Sequence, residues 1–163
     1  MVIGFPAGGP LDQHARLLTD RLQAVLGQPV IVDYKSGAGG TVGAQDAMKA
    51  PADGYTLMLA NTGVMVINPT LYTKLPYNTL KDFTPITPTA IQPLALLVNP
   101  KVPANTLKEF MACAKSKPGQ INYGSASYGG ISHLMPERSK NATGLFMVHI
   151  PYRGSAAAFA DLT

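Results

Sequence analysis

Charge is scarce in this chain: only 13% of its 163 residues are Asp, Glu, Lys or Arg, about half of what a soluble domain usually carries. With 46% hydrophobic residues, that balance excludes intrinsic disorder, which needs high charge and few apolar groups. Cysteine is nearly absent. Cys113 stands alone, so no disulfide framework can form within the chain. Long apolar runs are missing too: the greasiest stretch, Leu94 to Val98, ends at Asn99-Pro100, far short of the ~20 residues a spanning helix needs. Clustered positive charge is also lacking. The formal charge is +4, but Lys35, Lys49, Lys74, Lys81, Lys101 and Lys108 are separated by neutral stretches, which leaves no nucleic-acid footprint. Such scattered charge serves solubility or sets up a mild field favouring small anions. Met1 to Phe5 shows neither the basic n-region nor the apolar h-region of a signal peptide.

What the chain has in quantity is small-residue punctuation, 16 Gly and 14 Pro. Read with that punctuation, Val2 to Phe5 is a strand and Pro6-Ala7-Gly8-Gly9-Pro10 the turn that ends it. Asp12 is placed to cap a helix whose apolar positions Ala15, Leu18, Leu22, Val25 and Leu26 share one face, and Gly27 stops it. Val30-Ile31-Val32 reads as a second strand, covered on both faces. A Gly-rich turn, Ser36 to Gly43, leads into a helix ending near Ala50, and Tyr55 to Ala60 is a third strand. Residues 68–83 read as an irregular excursion, and Ile86 to Val98 as one or two further strands. A composition shift places a domain boundary near Asn99 to Pro103, giving domains 1–100 and 101–163. Beyond it come a helix from Leu107 to Ser116 capped by Thr106, a strand at Ile121 to Gly124, a helix from Ser132 to Gly144, a strand at Met147 to Ile150 and a helix from Ala156 to Leu162. Strand, Gly-rich turn, helix, strand recurs, which predicts an α/β sandwich with right-handed crossovers.

Three of the turns, at Phe5–Gly9, Ser36–Gly43 and Ser125–Gly130, place small residues between a strand and a helix. Such turns aim backbone N–H groups and the helix dipole at a negative ligand. They are also the ordinary tight connections of an α/β domain. Sharper motifs are absent. Counting from Gly37, a dinucleotide fingerprint would need glycine where Val42 stands, and no Gly-x-x-x-x-Gly-Lys or Gly-x-Ser-x-Gly run occurs. His133 and Glu137 are four residues apart, but Pro136 intervenes and no third ligand follows, so no metal site and no cofactor is expected. His14 reads as solvated and Cys113 as a small buried hydrophobe. His149, within a strand, reads as packed or hydrogen-bonded more readily than catalytic.

In order along the chain, Phe5-Pro6-Ala7-Gly8-Gly9-Pro10-Leu11-Asp12, Gly37 to Ala44, Ala52-Asp53-Gly54-Tyr55-Thr56-Leu57, Tyr123-Gly124-Ser125-Ala126 through Ser132-His133-Leu134, and His149-Ile150-Pro151-Tyr152-Arg153-Gly154-Ser155 resemble the motifs of the tripartite tricarboxylate transporter substrate-binding proteins, the Bordetella uptake gene family. Each motif alone is weak; their combination covers essentially the whole chain.

The resemblance implies a periplasmic-binding-protein-like (type II) fold, of which this chain holds the first domain and the start of the second. It implies no enzymatic activity. The expected role is a periplasmic protein that captures a small mono- or dicarboxylate for a membrane permease, the ligand lying between two domains on backbone amides and waters. The residues it implies as ligand contacts are Phe5, Ala7, Gly8, Gly9, Asn61, Thr62 and Gly63 in the first domain, and Ser125, Ala126, Ser127, Tyr128, Ser132 and His133 in the second. Ala52, Asp33-Tyr34-Lys35-Ser36 and Pro136 depart from the family's usual residues. The alternative is a truncated, non-binding fragment that acts as an assembly unit and self-associates through exposed edges.

Overall fold

The computed structural model describes residues 1–163, which form two compact units, Met1–Ile86 and Thr87–Thr163. The division falls earlier than composition suggests. Val98 ahead of the Pro-rich stretch, Val102 within it and Ala104 just after it pack on the core of the second unit.

In the first unit, β1 (Val2–Ile3), β2 (Asp33–Tyr34) and β3 (Met58–Leu59) form a parallel sheet in the order β2-β1-β3, with Val2 opposite both Asp33 and Met58. Helix α1 (Pro10–Leu26) starts with its proline in the first turn, where a missing N–H costs nothing, and ends where Gly27 turns left-handed at φ 65°. The cap expected at Asp12 is instead Gly9. Helix α2 (Thr41–Lys49) follows a short 3-10 turn, and α3 (Asn68–Leu71) follows a π-turn over Gly63–Ile67. Ile3, Ala15 and Leu59 make one core with α1, while Ala44, Val64 and Tyr77 make another with α2. Leu59 serves the first and its neighbour Met58 the second; successive strand residues face opposite ways, so the helices cover both faces of the sheet. This is the expected α/β sandwich.

Two expected strands are not there. Val30–Val32 make no strand ladder, although the Ile31 carbonyl accepts from the Met1 amino group (2.6 Å); the ladder begins at Asp33, whose N–H reaches the Met1 carbonyl (2.8 Å), and Ile31 is 76% exposed. Residues 86–98 likewise form no strand, and Ile86, Ile91, Leu94, Leu96 and Leu97 are exposed. Pro88 and Pro93 remove donors there, and no neighbouring strand pairs with the segment. The apolar face of α1 is also only partly used, since Val25 and Leu26 are exposed.

The Ser36–Gly43 turn is explained by packing. A Cβ on Gly43 would stand 2.6 Å from the Gly4 Cα, and one on Gly4 would stand 2.7 Å from the Gly40 Cα. Three glycines thus let the start of α2 lie backbone to backbone on the turn after β1.

The second unit contains α4 (Leu107–Ser116), β4 (Asn122–Ser125), α5 (Ile131–Thr143), β5 (Val148–Pro151) and α6 (Ser155–Leu162). Strands β4 and β5 pair in parallel, Asn122 with Val148 through Ser125 with Pro151. Thr106 caps α4 by accepting from the Glu109 N–H (3.2 Å), while Glu109 accepts from the Asn105 N–H (2.7 Å). The core joins Phe110 and Ala114 of α4 to Leu145 and Met147. Helix α5 continues through Pro136, and Gly144 closes it at φ 69°. Cys113 is half-buried. No helix is long and apolar enough to cross a membrane.

Candidate functional site

Parallel strands release their turns at one edge, so the segments after β1 and β3 leave the first unit's sheet together, the place where open α/β sheets bind ligands. Ala7 and Gly8 are exposed there, with Phe5 half-buried against the Val64 and Tyr77 cluster. Asn61 and Thr62 are exposed and Gly63 is buried. The Asn61 carbonyl oxygen of the side chain accepts from the Val64 N–H (3.1 Å), which starts the π-turn. Asn68 ties the neighbouring turns: its side-chain amide reaches the Gly39 carbonyl and the Thr41 hydroxyl, both at 3.3 Å.

The amino end of α1 is already occupied by the chain's own anion. Asp12 is buried, and its carboxylate accepts from the Gly8 N–H (2.8 Å), the Tyr34 hydroxyl (2.7 Å) and the Arg16 guanidinium (2.9 Å). The Gly8 N–H first, and then the Tyr34 hydroxyl, hold the Asp12 carboxyl below its ordinary pKa. A carboxylate with a lowered folded pKa stabilises above its unfolded value and loses that contribution as pH falls through the folded one. Asp12→Asn is therefore expected to cost about 1–3 kcal/mol near neutrality, because it removes a buried, charged acceptor shared by three donors. Its urea midpoint should also fall less than that of the unaltered chain as pH drops below about 4. Parallel midpoint curves through the acid range would refute this role.

In the second unit the Ser125–Gly130 turn joins β4 to α5. Ser125 is 2% exposed, and its hydroxyl lies 2.9 Å from the Ser127 carbonyl and 2.6 Å from His149 Nε2. The Ala126 N–H donates to the Ser132 hydroxyl (3.2 Å), and the Gly129 N–H to His133 Nδ1 (3.0 Å). The Gly154 N–H closes on the Ala126 carbonyl (2.9 Å). The amides of Ser127, Tyr128 and Gly130 take no partner from the chain. Unlike α1, α5 has no acidic residue in its first turn. Its amino end is thus open to an outside anion, with His133 beside it.

Four rings stand beneath this turn. Tyr123 stacks on His149 at 4.9 Å between centroids, His149 on His133 at 3.8 Å and 10°, and the exposed Tyr128 tilts over His133 at 4.9 Å. The Tyr123 hydroxyl donates to Glu137, which also pairs with Lys140 at 2.7 Å. Lys140 first, and then Tyr123, hold Glu137 below the ordinary carboxylate range; burial first, and Glu137 next, push Tyr123 up. Sequence reading missed Tyr123 and Glu137 as members of this cluster, while His149 is packed and hydrogen-bonded within its strand as expected. Their one signal was register: Tyr123 opposite His149 on paired strands.

A model of the "tripartite tricarboxylate transporter family receptor" matches residues 14–163. The chain belongs to that family. It is 37% identical over 163 residues to Protein BugT of Bordetella pertussis, covering 99% of this chain and 50% of BugT. Among solved structures, that of a periplasmic transporter is 43% identical with a TM-score of 0.91, over 99% of this chain and 54% of that one. R. palustris Rpa4515 with adipate is 34% identical with a TM-score of 0.96, over the same shares. The chain therefore spans about half the length of the curated relatives it matches, and its fold is that of periplasmic solute-binding proteins.

Proposed function

We propose that this chain captures a small mono- or dicarboxylate in the periplasm for the membrane permease of a tripartite carboxylate transporter. The observation that carries the reading is the open amino end of α5: unpartnered amides at Ser127, Tyr128 and Gly130, no acid in the first turn, and His133 alongside. A carboxylate there gains charge-assisted hydrogen bonds and the favourable end of the dipole. Ser125, Ala126 and Ser132 shape the turn from behind rather than reaching out. Phe5, Ala7, Gly8, Gly9, Asn61, Thr62 and Gly63 remain our candidate ligand contacts within the first unit. The adipate in Rpa4515 makes a dicarboxylate the first acid to test.

The role is binding without turnover. Ser125, the one hydroxyl beside an imidazole, is buried and hydrogen-bonded in place, so it holds the turn instead of attacking a substrate.

Calorimetric titration of the chain, and of any longer native reading frame that contains it, with acetate, succinate and adipate is expected to give saturable heat with at least one acid. The melting temperature should rise with that acid, since a ligand at a hundred times its Kd adds about 2.7 kcal/mol of stability. No heat and no melting shift with any acid would sink the reading. Sedimentation as a dimer in that event would favour the second one, an assembly unit that buries the exposed Ile86, Ile91, Leu94, Leu96 and Leu97.

A further inference from the structure

The proposed site names His133 as a ligand contact and leaves the ring behind it, His149, without a role. His149 stands on β5 with every titratable or charged neighbour identifiable. Tyr123 and Ser125 face it from β4, Tyr128 from the turn, and His133 stacks on it from α5, where Glu137 and Lys140 also lie close enough to act on its charge. Two imidazoles stacked at 3.8 Å do not both carry a proton at low cost, because like charges so close repel. The hydrogen bonds decide which ring can take one. His133 Nδ1 accepts from the Gly129 N–H at 3.0 Å, so protonating that nitrogen would break a bond that shapes the turn.

His149 has no such conflict. Its Nε2 lies 2.6 Å from Ser125 Oγ, and that hydroxyl also lies 2.9 Å from the Ser127 carbonyl. One hydroxyl proton can serve only one of these acceptors at a time. With His149 neutral and accepting at Nε2, the Ser125 O–H points to the ring. When a proton from solvent adds at Nε2, the imidazolium donates to Ser125 Oγ and the Ser125 O–H turns to the Ser127 carbonyl. The Ser125–His149 bond survives with its direction reversed, and the bond to the Ser127 carbonyl is gained. The charge appears directly under the turn that receives the carboxylate.

We propose that His149 positions the Ser125–Gly130 turn and takes up a proton when a carboxylate occupies it, so that capture is coupled to proton uptake. The inference rests on the carboxylate reading above. In the ligand-free chain, burial above all holds His149 below its ordinary pKa, so the ring is neutral near pH 7. An anion on the turn favours the charged form and raises that value. Between the two values each bound ligand brings up to one proton, and affinity falls about tenfold per pH unit as pH rises through the interval.

The test is calorimetry of the 163-residue chain with adipate and with succinate at about pH 6, 7 and 8, in two buffers of different ionisation heat. We expect the observed heat to differ between buffers and affinity to rise by up to about tenfold per unit as pH falls. His149→Gln, whose amide can still reach Ser125 but does not titrate, is expected to bind with no pH slope. His149→Phe, which keeps the stack and loses the hydrogen bond, is expected to bind more weakly than His149→Gln at every pH. Far-ultraviolet circular dichroism and melting of both variants separate misfolding from loss of the coupling. Wild-type binding with equal heats in both buffers, or an unchanged slope in His149→Gln, overturns the proton coupling while leaving the carboxylate site standing. No binding of either acid by the wild-type chain overturns both.

Discussion

Gly43→Ala is expected to unfold the first unit at denaturant concentrations where the unaltered chain is native. On helix propensity alone the change should help, by about 1 kcal/mol, because Gly43 lies inside α2. Packing reverses the sign. The added Cβ would meet the Gly4 Cα at 2.6 Å, the Gly4 amide nitrogen at 3.0 Å and the Lys35 carbonyl oxygen at 3.3 Å. All three are backbone atoms, so no side-chain rotation relieves the overlap. The start of α2 must move away from β1 and from the turn carrying Ala7 and Gly8. Overpacking of this kind costs about 3 kcal/mol at the upper end of its usual range, which leaves a net loss of about 2 kcal/mol. The urea midpoint of Gly43→Ala measures it. A midpoint equal to or above that of the unaltered chain would show that the two backbones do not approach so closely.

Phe110→Ala should be the most damaging truncation in the second unit, at about 3–5 kcal/mol. Phe110 is buried on α4 among Ala114, Leu145 and Met147, with Ile121 and Tyr123 packed at the margin. Deleting its ring removes apolar burial and leaves a cavity against the two strands that carry Ser125 and His149. Guanidinium unfolding followed by circular dichroism reads the stability, and carboxylate titration of the folded fraction reads the site. A loss below about 1 kcal/mol would mean that α4 is held by something other than this core.

The site was legible in its outline and not in its working parts. Small residues between strand and helix marked the Phe5–Gly9 and Ser125–Gly130 turns, and parallel pairing puts such turns at one edge of each sheet. Yet the turns looked alike in sequence and are chemically different in space. Asp12, read as a helix cap, turns its carboxylate to Gly8, Tyr34 and Arg16 and fills the end of α1 with the chain's own charge. The Ser36–Gly43 turn, equally Gly-rich, is spent on the close approach of α2. His149 is 24 residues from Ser125, as the two hydrogen-bond across the β4–β5 pair, and no local pattern announces a contact at that separation.

Scarce charge and Gly/Pro punctuation were sufficient, read along the chain, for the alternation of strand and helix, because turn chemistry and helix stops act over a few residues. The motif order was sufficient for the family. Strand status at Val30–Val32 and Ile86–Val98 was not readable in that way: apolar, β-branched residues make a strand only when another strand pairs with them in register, and neither segment is paired into a sheet. The helix amino end that stays open to an anion, and the imidazole that can take a proton beneath it, were likewise decided by tertiary structure. Both depend on which distant donor or acceptor has already claimed each polar atom.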